Sequence, residues 1–380
     1  MRISKLNQKL FLFILLLFLG LILFIGSSFL MKPRVIEIIP TPAQISETIS
    51  DKIQPTEENQ ITLILVGDIM LNRGVEYMVG KEGDGDYSFP FLKIVEDLKG
   101  TKLLFGNLEG PISDKGTKVG SIYSFRAEPK VIEGLTFAGF DVISLANNHA
   151  FDYGREALED TFLKLKTAGV DELRSSSPCA IARVVDEDSF ISTRRSARVI
   201  DYVGAGFNQS EAYSPVIKEI QGTKIGFLAY TNLGPETWKA TERNSGIAWI
   251  NENDFEKIKK DIENAKSQAD ILIVSLHAGE EYAAEPTQFQ IEFSKVAIDA
   301  GADLVIGHHP HVVQKSEKYK DKWIFYSLGN FVFDQSFSQE TMKGEILEIL
   351  IKDGKINELI PKKIEINNYF QPEIATKEEQ

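Results

Sequence analysis

Short apolar runs that each end in a polar loop are what most restrict the fold of this chain. Ile61–Val66, Lys102–Phe105, Phe140–Ile143, Asp270–Leu276 and Asp303–Ile306 have the length and continuity of strands buried on both faces. Helical spacing fills the intervals, over Pro90–Leu98, Gly154–Ala168, Asn251–Gln268 and Pro286–Ala300. In the second of these, Leu158, Phe162 and Leu165 share one face. Val216–Tyr230 reads as two strands turned at Gln221-Gly222, and the end of the chain as a hairpin turned at Asp353-Gly354. This alternation predicts an α/β fold, in which loops at the carboxyl ends of the strands gather around one ligand site.

The loop after the third run, Ser144 to Gly154, crowds Asn148, His149 and Asp152 together. Alone it also reads as a helix start with an Asn cap and a buried histidine. The distribution of histidine weighs against that. The chain has 5 His, and all fall in three such loops: His149, His277, and the trio His308, His309 and His311. Asp68 ends the first run, Asn107 and Glu109 the second, and Glu281 accompanies His277. Asn330 ends the stretch that begins at Trp323. Singly, Asp68 reads as a helix cap, Glu109 as a solvated loop residue and His277 as a core histidine. Jointly, imidazole, amide and carboxylate from separate loops suit divalent Mn, Mg, Fe or Zn. Pro310 fixes the turn between His309 and His311, so both imidazoles can face one site. Glu109 suits a carboxylate bridging two ions, and a pair ~3.5–4 Å apart can clamp a phosphate and generate hydroxide. The Phe and Tyr residues near these loops read as core rather than as a substrate platform.

Composition narrows the partners. A formal charge of −13 argues against unassisted binding to nucleic acid or an anionic membrane surface, although bound cations can reverse the potential locally. The single Cys179 excludes an intramolecular disulfide and a cysteine-based zinc site. Leu10–Met31 carries no charge, and at ~1.5 Å per residue it can cross a bilayer core of ~30 Å. Its flanking Lys and Arg residues point to residues 1–34 as a cytoplasmic stub and uncleaved anchor, with the rest outside the cell membrane. A signal peptide cut near Ile25–Ser28 is the rival reading. Residues 35–60 read as a linker, 61–340 as the main domain, 171–198 as an inserted polar and basic surface loop, and 341–380 as the hairpin and a charged tail.

Six segments resemble, in order, the motif series of the CapA family of poly-γ-glutamate capsule synthesis and export. They are Gly67-Asp68-Ile69-Met70, Gly106-Asn107-Leu108-Glu109, Asn147 to Gly154, His277 to Tyr282, His309-Pro310-His311-Val312 and Ser327 to Phe331. That family is in turn similar to the calcineurin-like metallophosphoesterases. The resemblance implies a sandwich of two mixed β-sheets flanked by helices. It also implies two divalent metals held by Asp68, Glu109, Asn148, His277, His309 and His311. By the same resemblance His149, oriented by Asp152, would act on the leaving oxygen, with Asn107, Glu281 and Asn330 supporting the ligands or the substrate. His308 looks like the less constrained neighbour. Two positions depart from the phosphoesterase pattern: Met70 stands where a histidine is usual, and Asn107 with Glu109 where an aspartate is usual. Against the capsule pattern, the 171–198 insertion is foreign, and Ala278 replaces a common aromatic residue.

The readings that follow are a membrane-anchored phosphoesterase serving capsule synthesis with other membrane proteins of that pathway, or a non-hydrolytic polymer-handling or assembly protein with a structural or vestigial metal site. An extracellular nucleotidase or phosphodiesterase would want a separate base-binding module, for which the chain has no space.

Overall fold

The computed structural model describes residues 60–119, 121–168 and 199–375. The apolar segment 10–31, the linker ahead of Gln60 and the inserted loop 171–198 lie outside the described residues. Among the described residues no helix is long and apolar enough to cross a membrane.

The first sheet begins with β1 (Ile61–Ile69), β2 (Leu103–Leu108), β3 (Val142–Ser144) and β4 (Asp201–Val203), parallel and adjacent in that order. After the two-residue β5 (Ala205–Gly206) the chain builds a hairpin of the second sheet, β6 (Val216–Ile220) and β7 (Thr223–Thr231). It passes β8 (Gly246–Ile247), the partner of β5, and continues with β9 (Ile271–His277), β10 (Leu304–His308), β11 (Ser316–Tyr319) and β12 (Lys322–Phe325). The first sheet is completed by β13 (Asn330–Val332), β14 (Lys343–Lys352), β15 (Lys355–Ile366) and β16 (Pro372–Ile374). Its order is β16-β15-β14-β1-β2-β3-β4, with β13 also parallel to β1; the second sheet runs β11-β12-β10-β9-β7-β6. In the first sheet β1 to β4 are parallel out to the β4 edge and β14 to β16 are antiparallel; in the second the central strands are parallel and both edge strands antiparallel, so both sheets are mixed. The C-terminal hairpin is part of the first sheet, where β14 lies directly beside β1.

Three apolar layers explain why the strands read as unbroken hydrophobic runs. Leu63, Leu65 and Phe105 of the first sheet meet Phe227, Ile273 and Ile306 of the second, with Phe105 and Phe227 stacked at 5.2 Å. The alternate residues Ile64 and Val66 face outward and are covered by the helices Val131–Ala138 and Gly154–Thr167. On the far side, Leu272 and Val274 lie under the helices Phe255–Lys266 and Gln288–Asp299. A strand buried on both faces is apolar along most of its length, and the buried polar side chains of β1 and β2, Asp68 and Asn107, come near their carboxyl ends.

Several boundaries differ from the sequence expectation. Pro90–Leu98 is not one helix but a single 3₁₀ turn at Phe89–Phe91 and a short helix at Val95–Leu98. The third strand stops at Ser144 rather than Asn147, because Leu145 already bonds to the Val203 carbonyl and Asn147 turns back on Leu145. Asn330 opens β13 instead of ending a strand. β12 stops at Phe325, the chain turns through Gly329 at φ +67°, and Asn330 then pairs with Asp68 across β1.

That pairing needs an unusually close approach of two backbones. Asp68 N–H donates to the Gly329 carbonyl at 3.0 Å, and a β-carbon on Gly67 would lie 2.0 Å from that same oxygen. Gly67 is thus the residue that lets β13 close on β1 beside the functional loops. Gly67→Ala is expected to cost about 3 kcal/mol of folding stability by forcing this contact apart. Denaturant unfolding followed by tryptophan fluorescence measures it, and a midpoint equal to the parent's would contradict the account.

Candidate metal centre

Asp68, fully buried, sits at the middle of the site. Its Oδ1 accepts from Asn107 Nδ2 at 2.8 Å and its Oδ2 from the His309 backbone N–H at 3.0 Å. Asn107 Nδ2 also lies 3.1 Å from His277 Nδ1. Turning that amide over would set its oxygen against the Asp68 carboxylate, so the amide nitrogen must face both partners. His277 Nε2 then points at the Asn148 amide oxygen, 2.8 Å away. The chain Asp68–Asn107–His277–Asn148 therefore joins the ends of β1, β2 and β9 to the loop after β3. The rings of His277 and His309 lie 4.9 Å apart, and those of His309 and His311 5.8 Å apart.

The His309-Pro310-His311 turn is held in left-handed backbone, at φ +98° for His309 and +59° for His311. Such angles are costly for non-glycine residues and persist where the surroundings enforce them. His311 Nδ1 donates to Asn330 Oδ1 at 2.9 Å, leaving Nε2 free. Asn330 is fixed in this sense because its Nδ2 donates to the Thr341 carbonyl at 2.9 Å and to Gln335 Oε1 at 3.1 Å. On the other side of the site, His149 Nδ1 donates to Asp152 Oδ2 at 2.8 Å, so that Nε2 faces Glu109 Oε2 at 3.8 Å.

Glu109 is the anomaly. It is 2% exposed, and neither carboxylate oxygen has a hydrogen-bond partner. Its other oxygen lies 4.0 Å from His277 Nε2. Buried, partnerless carboxylates are rare because the desolvation goes uncompensated. His309 Nδ1 is likewise buried and unpartnered. Among the described residues, Asp68, Glu109 and His311 offer ligand atoms within 4.8 Å of one another, and so do Glu281, His309 and His311. The two sets share His311, whose one free ring nitrogen can serve a single ion; each set has carboxylate and imidazole donors and an orphaned buried atom, a donor chemistry that fits a divalent cation.

Electrostatics agrees. Burial, together with the charges of Asp68, Glu281 and Asp152, pushes the Glu109 carboxyl well above its ordinary range. Burial opposes ionisation of Asp68 too, but the His308 ring and the neighbouring histidines outweigh it and hold that carboxyl below the usual range. Burial and the neighbouring His309 hold His277 well below the usual imidazole value; burial and His311 hold His309 at about 3; and burial lowers His311. Asp68 is thus biased towards its ionised form, Glu109 towards its neutral form, and His277, His309 and His311 towards neutral imidazole. Neutral imidazole is the form that binds metal.

A profile of the bacterial capsule synthesis protein family PGA_cap matches residues 62–173 and 188–335. The chain belongs to this family. A capsule biosynthesis protein CapA from Bacillus anthracis is 31% identical over 325 residues, covering 84% of this chain and 71% of that protein. A PGA biosynthesis protein CapA from Bacillus subtilis is 28% identical over 309 residues, covering 80% and 71%. Among solved structures, a novel phosphatase from Mycoplasma pneumoniae aligns over 81% of this chain and 94% of its own, at 14% identity and a TM-score of 0.45. The family match breaks at residues 174–187, inside the insertion expected from the sequence.

All the family-motif side chains singled out in the sequence therefore meet in one pocket. One expectation is overturned: His308 is not the loose member of its pair. It ends β10 with its side chain directed between the sheets, fully buried, Nδ1 3.3 Å from Asp68 Oδ1 and its ring 6.4 Å from that of Phe105. Strand alternation carries His308 inward, and the turn at His309 begins only after it. Sequence reasoning also missed Phe125, Arg73 and Asp334. Phe125 stacks on His149 at 4.0 Å, and its backbone N–H donates to Asp152 Oδ2 at 2.7 Å, the oxygen that also takes the imidazole proton. The Arg73 guanidinium lies 4.6 Å from the Phe125 centroid and pairs with Asp334. Orientation of His149 thus comes from a ring and a backbone amide, which leave no motif.

Because burial raises the Glu109 carboxyl, a cation entering beside it competes with a proton, so metal binding is expected to release protons and to tighten as pH rises. Titration calorimetry with Mn(II) in buffers of different ionisation enthalpy reads the release. A heat independent of buffer would contradict that competition.

Proposed function

We propose that this protein is a membrane-anchored, extracytoplasmic phosphoesterase of two divalent cations, acting in the synthesis or export of a poly-γ-glutamate capsule or a related envelope polymer. The observation that carries the reading is Glu109: a carboxylate buried without a partner between two ligand-like groups, where a bridging anion belongs. Asp68, Glu109, Asn148, His277, His309 and His311 would hold the ions, with Glu281 beside the second. When bound, such ions polarise a phosphate and supply a water nucleophile at neutral pH.

The chain's own groups divide the remaining work. Asp152 accepts the Nδ1 proton of His149, so Nε2 is the atom that carries a proton to and from the reacting group. Phe125 fixes the plane of that ring and, through its N–H, the position of Asp152. Asn107 holds Asp68 and His277 in register, and Asn330 orients His311. The apolar segment Leu10–Met31 supports the anchor, and family membership supports the polymer.

The second reading, polymer handling without hydrolysis, is favoured by one observation. Met70 is fully buried at the position where a histidine is usual, and its sulfur accepts the Asn72 N–H at 3.2 Å, so it is turned to the backbone.

An assay of the full-length chain against phosphomonoesters and phosphodiesters, with metal content measured in parallel, separates the two. Asn148→Ala is expected to lose both metal and turnover. His149→Ala should keep its metal while turnover falls roughly 10²–10⁴-fold, the range of a lost acid–base group. Metal retained with no turnover on either ester class would favour the second reading.

A further inference from the structure

The aromatic residues at the mouth of this site are not core. Tyr282 is 45% exposed and Phe337 65%, whereas Phe331 and Phe333 beneath them are fully buried. Tyr282 and Phe337 meet edge to face, with centroids 5.1 Å apart, and the Tyr282 ring stands 6.2 Å from that of His311. Tyr282 holds left-handed backbone at φ +66°, a region that a bulky side chain seldom occupies. Its N–H is tied to the Pro310 carbonyl at 2.8 Å, and its hydroxyl takes the Gln335 side-chain amide at 3.3 Å. Gln335 is in turn bonded to Asn330, the partner of His311. The strained residue is therefore locked to the histidine turn from both ends, its ring presented to solvent next to the ligand groups. An exposed aromatic held in a costly conformation beside a polar pocket is a contact surface for a ligand rather than a packing element.

We infer that Tyr282 and Phe337 form a ring-binding platform continuous with the phosphate site, so that the organic group of the phosphoester substrate carries a ring with an apolar face. The inference rests on the metal-phosphate reading of the pocket and adds to it the class of the substrate. Ring faces and edges meeting at 4.5–7 Å gain beyond simple burial. A phosphate ester with a bare alkyl group would leave the platform in water.

Equilibrium binding to the Mn(II)-loaded full-length chain tests this without requiring turnover. Phenylphosphonate is expected to bind about five- to tenfold more tightly than methylphosphonate. Phe337→Ala, on an exposed loop, should bring the ratio towards one while leaving Mn(II) stoichiometry and the methylphosphonate affinity unchanged, and Tyr282→Ala should also bring the ratio towards one. Tyr282→Phe should keep most of the preference. Equal affinity for the two phosphonates, or a preference that survives both alanine variants, overturns the platform and leaves the phosphate site standing. Failure of both phosphonates to bind overturns the phosphate site and the platform together.

Discussion

Two carboxylates share one dry pocket, and the rest of the site follows from how their charge is met. Asp68 is answered by protein: an amide, a backbone N–H and an imidazole surround it. No group in the chain hydrogen-bonds to Glu109, and its nearest ligand-like neighbours are Nε2 of His149 at 3.8 Å and Nε2 of His277 at 4.0 Å. A folded protein avoids such an arrangement, since a buried anion without a partner is among the costliest groups it can hold. Burial raises the Glu109 carboxyl well above its ordinary range and so favours its neutral form, and divalent ions shared between the neighbouring donors are the functional answer we propose.

The fold makes this possible by ending its central strands together. β1, β2 and β3 are parallel, as are β9 and β10, so their carboxyl ends open towards the same side of each sheet. The inter-sheet packing of Phe105 on Phe227 continues to His308, whose ring lies tilted 6.4 Å from that of Phe105 and brings Asp68 within reach of β10. Gly67 then allows β13 to approach β1 closely enough for Asn330 to join. Backbone proximity, rather than any single ion pair, is what lets residues from both halves of the chain share one pocket.

Much of this was legible in the sequence because its signals are local. Buried strands announce themselves as apolar runs, and five histidines confined to three loops are hard to reconcile with scattered structural use. What escaped is long-range or conformational. The inward turn of His308 depends on where β10 ends, and a one-residue difference in strand length sends a side chain to the opposite face. Phe125 comes from an irregular loop and Arg73 from the start of the helix Arg73–Lys81, and only folding brings Phe125 onto His149 and Arg73 onto Phe125. Tyr282 reads as an ordinary core aromatic until its positive φ and exposure are seen together.

The most direct measurement is diffraction from crystals grown with Mn(II), recorded on both sides of the manganese absorption edge. The account predicts two anomalous peaks about 3.5–4 Å apart with the Glu109 carboxylate between them, one near Asp68 and the other near His309 and Glu281. A pocket without anomalous density, with the Glu109 oxygens instead hydrogen-bonded to water or protein, would contradict it.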